Sequence, residues 1–276
     1  MVYNKGMNKP FRIKRNDYEN IYFASDFHYN HQRDFLWKPR GFNSFQEHDR
    51  FIENEIDKLT KNDLLIYLGD YSLNTTDEQT SNLLHKTKAR MFYIFGNHEG
   101  YHSRFYRESL HSYYKKMVNY RHVKNGEALD HASLHGENFV SEFPFQIFPF
   151  AVDKTTKEGF PGASRKLFKE DAKNDIVYFG EEGYFQVGNS FYFCRHMAPL
   201  IWDKMKYENY YSICGHSHGN LKKANHDVFD EGKILDVGVD NAIEYNGSAF
   251  FKIEEVDAIM KKKKVKIYDH HGDEHI

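Results

Sequence analysis

The chain has 276 residues, enough for one large domain or two small ones, and its 40% hydrophobic and 28% charged residues are ordinary for a globular protein. A formal net charge of −2 excludes a general electrostatic attraction to nucleic acid, and no apolar run approaches the roughly 18 residues that span a membrane. Cys194 and Cys214 lie inside apolar runs and are expected to be buried, reduced thiols. Because no apolar signal segment follows the first charged residues, the sequence predicts a cytoplasmic protein.

Strand and helix signals alternate over the first hundred residues. Residues 1–20 are polar and basic and are expected to form a loose arm. Ser44 and Glu47 have the spacing of a capping box and predict the start of a helix, and Thr75 with Glu78 predicts the start of another. This alternation predicts an α/β layered sheet. Three short apolar runs are the expected buried strands, at residues 21–25, 64–68 and 91–95.

The middle of the chain has a different character. Residues from about 122 to 183 are irregular in pattern and rich in phenylalanine, which predicts an insertion or cap region within a single domain of residues 1–276. The many rings of the chain, 24 Phe and 20 Tyr, either fill the core or line a groove for bases or sugars. A lysine run at 261–264 is typical of a solvated face. Strands are expected again at residues 191–194, 211–214, 234–237 and 249–253.

Five of the expected strands are followed directly by side chains that can bind a metal ion or transfer a proton. In open α/β sheets the carboxyl ends of the strands form the edge at which ligands bind. We therefore expect these side chains to lie close together although they are far apart in sequence. They are Asp26, His28, Asp70, Asn97, His98, His196, His216 and His218.

The spacing and the chemistry of these residues indicate a metal site. Asp26 and His28 are two positions apart, as are His216 and His218, so each pair is directed to one side of an extended segment. Imidazole, carboxylate and amide oxygen are suited to Zn, Mn, Fe or Ni and require no thiolate. Two metal ions need a shared ligand, and Asp70 is the natural candidate because a carboxylate has two oxygens with which to bridge.

The order of these motifs, Asp-x-His, Gly-Asp, Gly-Asn-His-Glu, His and Gly-His-Ser-His, resembles that of the calcineurin-like metallophosphoesterase superfamily. The chain departs mildly from it at Glu99, where the family usually has Asp. The likeness covers roughly residues 20–100 and 185–252. Further residues resemble a microbial and phage branch of small phosphoesterases, namely His31, Arg40-Gly41-Phe42 and Glu47-His48-Asp49.

The resemblance implies a four-layer α/β/β/α sandwich, in which two packed mixed β-sheets are flanked by helices, here with an inserted aromatic-rich segment. It also implies two divalent metal ions and a catalytic His98 that does not bind metal directly. The first metal site it implies consists of Asp26, His28, Asp70 and His218. The second consists of Asp70, Asn97, His196 and His216.

The expected activity is the hydrolysis of phosphate esters by a hydroxide that bridges the two metals. His98 would donate a proton to the leaving oxygen or stabilise charge on phosphorus. His31 is a further candidate for substrate binding. Arg195 is another, because Arg can bind phosphate bidentately, although an ion pair at the rim of the site would also explain it.

The sequence favours a small substrate, a nucleotide or a related phosphomonoester or phosphodiester, because the chain has no strong positive charge. A nuclease acting on DNA or RNA is the alternative, which the lysine run and the aromatic rings favour. A scaffold that kept the fold and lost catalysis is a third possibility, and it should lack at least one ligand. Every ligand position is filled here, so the sequence favours an enzyme.

Overall fold

The computed structural model describes residues 10–98, 146–147 and 176–268. The strands of this part are β1 (Phe11–Ile13), β2 (Ile21–Ala24), β3 (Leu64–Tyr67), β4 (Arg90–Ile94), β5 (Gln146–Ile147), β6 (Ile176–Gly180), β7 (Glu182–Val187), β8 (Ser190–Arg195), β9 (Tyr210–Cys214), β10 (Ile234–Asp236) and β11 (Phe251–Lys252). Its α-helices are α1 (Asp34–Trp37), α2 (Phe45–Asp57), α3 (Asp77–Lys86), α4 (Asp227–Glu231), α5 (Val239–Asn246) and α6 (Ile253–Lys262).

The strands form two mixed sheets. The six-stranded sheet has the order β11-β2-β3-β4-β6-β5, in which β11 alone runs antiparallel to its neighbour. The five-stranded sheet has the order β1-β7-β8-β9-β10, and only the β7–β8 pair is antiparallel. The parallel strands β2, β3 and β4 therefore end at one edge of the first sheet, and β8 and β9 end together in the second.

The alternation of side chains along the central strands explains how the layers pack. In β3, Leu64 and Ile66 face the second sheet, and Leu65 and Tyr67 face the helices, as the two-residue period of a strand requires. Helices α2 and α3 cover the outer face of the six-stranded sheet, while α4 packs outside the five-stranded sheet. The predicted sandwich of two packed mixed sheets with flanking helices is confirmed.

Aromatic rings fill much of the space between the sheets. Phe92 of β4 lies 5.7 Å from Phe185 of β7 between ring centroids, and Phe179 of β6 lies 4.8 Å from Phe185. All three are buried, so their contribution is packing and the exclusion of water. For these rings the core-filling interpretation holds. Cys194 and Cys214 are buried free thiols, as predicted.

The structure differs from one prediction at the start of the chain. Residues 11–13 do not belong to a loose arm, because β1 pairs in parallel with β7 at the edge of its sheet. Near the predicted end of the insertion, β6 lies between β4 and β5, and the chain then enters β7. Apart from β5, residues 122–175 lie outside the described residues, so the insertion stays a prediction. The strands β1 and β6 have long-range partners, which no local pattern reveals.

The helix starts were predicted nearly correctly. The Ser44 hydroxyl accepts a hydrogen bond from the Glu47 N–H, as expected of an N-cap. Helix α3 is capped by Thr76 with Gln79, one residue later than predicted, because the hydroxyl of Thr75 bonds the side chains of Ser72 and Thr80 instead. Within the described ranges, every helix is too short or too polar to cross a lipid bilayer.

Candidate metal centre

The ligand-bearing segments of the two sheets meet at one place. His196, which follows β8, has its Nδ1 2.7 Å from the carbonyl oxygen of Leu68, which follows β3 in the other sheet. The backbone N–H of His216, which follows β9, donates to Asp26 Oδ2 at 2.8 Å, and Asp26 follows β2. The carboxyl ends of parallel strands from both sheets therefore form one site.

The side chains at this site form two groups, each with three ligand atoms within 4.8 Å of one another. They are Asp26, His28 and His218 in the first group and Asp70, His196 and His216 in the second. Asp70 Oδ2 lies 3.6 Å from His28 Nε2 and 3.2 Å from His196 Nε2. The carboxylate of Asp70 thus lies between the two groups, which is where a bridging ligand must be.

Asn97 and His98 complete the predicted set from the segment that follows β4. Asn97 Oδ1 lies 3.0 Å from His196 Nε2, next to the second group. The backbone N–H of His98 donates to Asp70 Oδ1 at 2.8 Å, and its ring centroid lies 5.8 Å from that of His28. Both side chains are exposed. All eight residues selected from the strand ends therefore come together.

Several polar atoms at the centre have no hydrogen-bond partner within the described part of the chain, although they are buried. They are Asp26 Oδ1 and both ring nitrogens of His28. Burying such atoms without partners is costly, and native proteins rarely leave them so. A divalent cation accepts lone pairs from carboxylate oxygen and imidazole nitrogen, so these residues fit a bound metal ion.

The carboxylate of Asp70 is paired with the imidazole of His196. Burial raises the pKa of this carboxyl, but the hydrogen bond and positive charge of His196 outweigh burial and hold it at about 2. Burial likewise opposes a charged His196, yet its contact with Asp70 and the nearby Asp26 raises its pKa to about 9. A cation that bound His196 would compete with the proton on this ring, as is general for histidine ligands.

The backbone at the centre is bent into an uncommon conformation. Five of the nine non-glycine residues with positive φ in the described ranges are candidate ligands, with φ from 47° to 68°. Asp and His adopt this left-handed conformation more readily than most side chains do. Such residues cluster where surrounding structure holds them, which is common at functional sites. The five are Asp26, His28, Asp70, His216 and His218.

Close approach of two strand ends requires glycine at Gly69 and Gly96. Gly69 has a φ of +92°, and a Cβ added there would overlap the backbone of Gly96. A Cβ on Gly96 would overlap the Asp70 carboxylate and lie 2.7 Å from the Asp70 backbone nitrogen. Side chains at these positions would push the candidate bridging carboxylate away from its neighbours.

Gly96→Ala is expected to lower both thermal stability and metal affinity, since the new methyl group must displace Asp70. Crowding of this kind typically costs about 1–3 kcal/mol. Thermal denaturation and metal titration would measure the two effects. Gly232→Ala is a matched control, because Gly232 directly follows α4 and its Cβ would crowd the Val228 carbonyl instead. It should lose stability and keep its metal affinity. Equal metal affinity in the two variants would contradict the prediction.

The ring orientation of two candidate ligands is set by their second nitrogen. His196 Nδ1 donates to the Leu68 carbonyl, which leaves Nε2 directed at Asp70. His218 Nδ1 lies 3.1 Å from Asp240 Oδ2. Partners of this kind fix the tautomer of metal-binding histidines. Asp240 is not among the predicted site residues, because it lies within α5 and its pairing with Arg40 is a long-range contact that no local pattern shows.

The two candidates for substrate binding lie in different surroundings. His31 is buried, and its ring centroid is 5.7 Å from that of His28, next to the first group. Arg195 is about half exposed and lies opposite Glu182 of β7, with Nε 3.8 Å from Glu182 Oε2. This contact agrees with the alternative of an ion pair at the rim. Binding of substrate by either residue stays a prediction.

Two packed sheets with candidate metal ligands at their carboxyl edges agree with the architecture that the resemblance to metallophosphoesterases implied. The family model of calcineurin-like phosphoesterases matches residues 19–220, a range that includes every strand-end motif. The chain therefore belongs to the calcineurin-like phosphoesterase family, as the motifs predicted.

Similarity to individual proteins is low. A crystal structure of a protein of unknown function from Aquifex aeolicus aligns with a TM-score of 0.42 and 15% sequence identity, over 87% of this chain and 98% of that chain. No curated protein matches the chain significantly.

Proposed function

We propose that the protein is a hydrolase that cleaves phosphate esters with two divalent cations. The observation that carries this proposal is the position of Asp70 between two adjoining groups of ligand atoms. Buried atoms of Asp26 and His28 without a hydrogen-bond partner in the described part of the chain support it further, since Asp26 Oδ1 and one ring nitrogen of His28 offer lone pairs to a cation. Because the donors are nitrogen and oxygen without thiolate, the suitable ions are Mn, Zn, Fe or Ni.

The assignment of ligands follows from proximity. The first cation would be held by Asp26, His28, His218 and Asp70, and the second by Asp70, Asn97, His196 and His216. Bound cations of this kind lower the pKa of water and neutralise the charge of the phosphate group. The chain itself contributes the fixed orientation of the imidazoles, which the hydrogen bonds of His196 and His218 provide.

His98 is suited to the transfer of a proton to the leaving oxygen. Its backbone N–H is held by Asp70, while its side chain is exposed and its ring lies 5.8 Å from that of His28. It therefore stands at the solvent side of the centre without being needed as a ligand. A proton donor at this position can protonate an alkoxide as it departs.

A small phosphoester, such as a nucleotide or a related monoester or diester, is the substrate class that we propose. The net charge of −2 supports it, because binding of nucleic acid usually depends on a basic surface. Phe35 is 69% exposed, and its ring centroid is 5.2 Å from that of His31. An exposed ring near the centre is suited to stack on a base. A nuclease would use the same ring, so oligonucleotides belong in the test.

Removal of metal is expected to abolish hydrolysis of bis-p-nitrophenyl phosphate, and addition of Mn or Zn should restore it. Activity that survives chelation, or that no divalent ion restores, would contradict the proposal. His216→Ala should be inactive, whereas His226→Ala, which replaces a partly exposed histidine at the start of α4, should be fully active. A panel of nucleotides and oligonucleotides then decides the substrate class, and faster cleavage of oligonucleotides would favour a nuclease.

A further inference from the structure

Arg40 is a buried charge that lies outside all the metal-binding motifs. Its side chain is 0% exposed, and it follows α1 in a segment that none of the metal ligands belongs to. A guanidinium group so deeply buried is costly unless its donors are all used. The hydrogen bonds that satisfy it therefore indicate what it does.

Part of the guanidinium binds the loop from Asp26 to His28, which carries two candidate ligands of the first group. Arg40 Nη2 donates to the backbone carbonyl of Asp26 at 2.9 Å, and Nη1 lies 3.4 Å from the carbonyl of Phe27. Both carbonyls lie in the loop from Asp26 to His28, in which Asp26 and His28 have positive φ. Arg40 thus holds the bent backbone that carries two ligands of the first group.

The rest of the guanidinium holds Asp240. Nε lies 3.1 Å from Asp240 Oδ1 and Nη2 lies 2.8 Å from Oδ2, which is a bidentate pair. Asp240 Oδ2 in turn lies 3.1 Å from His218 Nδ1. Nη2 also lies 3.2 Å from His218 Nδ1, but its two hydrogens are nearer to Asp240 Oδ2 and the Asp26 carbonyl, at 2.8 and 2.9 Å. Nδ1 of His218 is therefore assigned as the donor to Asp240. The Nε2 of His218 is left with the lone pair that a cation requires.

Helix α2 supports Arg40 from the opposite side. Arg40 Nη1 lies 2.8 Å from His48 Nε2, which accepts because a guanidinium can only donate. His48 Nδ1 lies 3.2 Å from Asp49 Oδ1, and Asp49 accepts the backbone N–H of Asn30 at 3.1 Å. Asn30 lies two residues after His28. Arg40 therefore supports the Asp26–His28 loop directly through two carbonyls and indirectly through His48 and Asp49.

We propose that Arg40 and Asp240 are positioning residues of the first ligand group. Arg40 connects the Asp26–His28 loop to the carboxylate that orients His218, and so it brings ligands from distant parts of the chain to one cation. This inference rests on the proposed function, because it presumes that the group binds metal. A lysine could replace the charge but not the role, since one ammonium cannot form the fork to Asp240 and also reach two carbonyls.

The test is a titration of the apoprotein with Mn and Zn. The wild-type protein should bind two equivalents. Arg40→Lys should weaken one of them by roughly 10–100-fold and leave the other unchanged, as expected for loss of a partner that orients a ligand. Titration in the His216→Ala background, in which the first group is intact, should assign the weakened equivalent to that group.

Two further variants separate positioning from general stability. Lys233→Met also removes a buried cation, whose Nζ bonds Glu208 and the Met260 carbonyl, and it should lower the melting temperature without changing either affinity. If Arg40→Lys does not fold, Asp240→Asn should show the same selective weakening.

Wild-type affinity for both equivalents in Arg40→Lys or Asp240→Asn would overturn the inference, as would equal weakening in Lys233→Met. Absence of metal binding by the wild-type protein would instead overturn the proposed function.

Discussion

Asp70→Ala is expected to remove both cations and reduce turnover to the uncatalysed background. The carboxylate lies 3.6 Å from His28 Nε2 and 3.2 Å from His196 Nε2, so it is close to ligand atoms of both groups. Its other oxygen accepts the N–H of His98. Its loss is therefore expected to affect both groups and the proposed proton donor together.

Metal analysis of the purified variant decides this prediction. Asp63→Ala is a matched control. Asp63 is a buried carboxylate immediately before β3, and Asp70 follows the end of the same strand. Asp63 bonds the backbone of Asn20 and Thr60, so its loss should reduce stability and leave two metals bound. Retention of two tightly bound metals by Asp70→Ala would rule out a bridging role.

His98→Ala is expected to lower turnover by roughly 10²–10⁴-fold while the metal content stays normal. The contact of residue 98 with Asp70 is made by its backbone N–H, which alanine also has, so the ligand should keep its position. The loss should be large for alkyl esters, whose leaving oxygen needs a proton. It should be small for nitrophenyl esters, because an acidic phenol departs without help.

The other outcomes of this substitution have distinct meanings. An equal loss with both leaving groups would indicate that His98 stabilises charge on phosphorus. Loss of metal would show that His98 is a ligand. A lower melting temperature with nearly normal turnover would assign it a structural role only. Metal content, melting temperature and rates with two leaving groups distinguish these results.

Local sequence was sufficient for the central strands and for the candidate ligands. Each buried strand is a short apolar run, and its end is marked by a change to Gly, Asp, Asn or His. That change is visible at Asp70 after β3 and at His216 after β9, because it depends only on neighbours along the chain. The convergence of these residues follows from a general property of parallel sheets, whose carboxyl ends form one edge.

Only the tertiary structure decided which residues support the ligands and which strands extend the sheets. Asp240 is 200 residues from Arg40, and their pairing depends on how two sheets pack. The short strand β1 and the strand β6 within the predicted insertion are formed by pairing with distant strands. Strand pairing and buried ion pairs are contacts between segments far apart in sequence, so their energy is absent from any local pattern. The sequence by itself predicted the candidate ligands, and the packing of the two sheets determined what holds them in place.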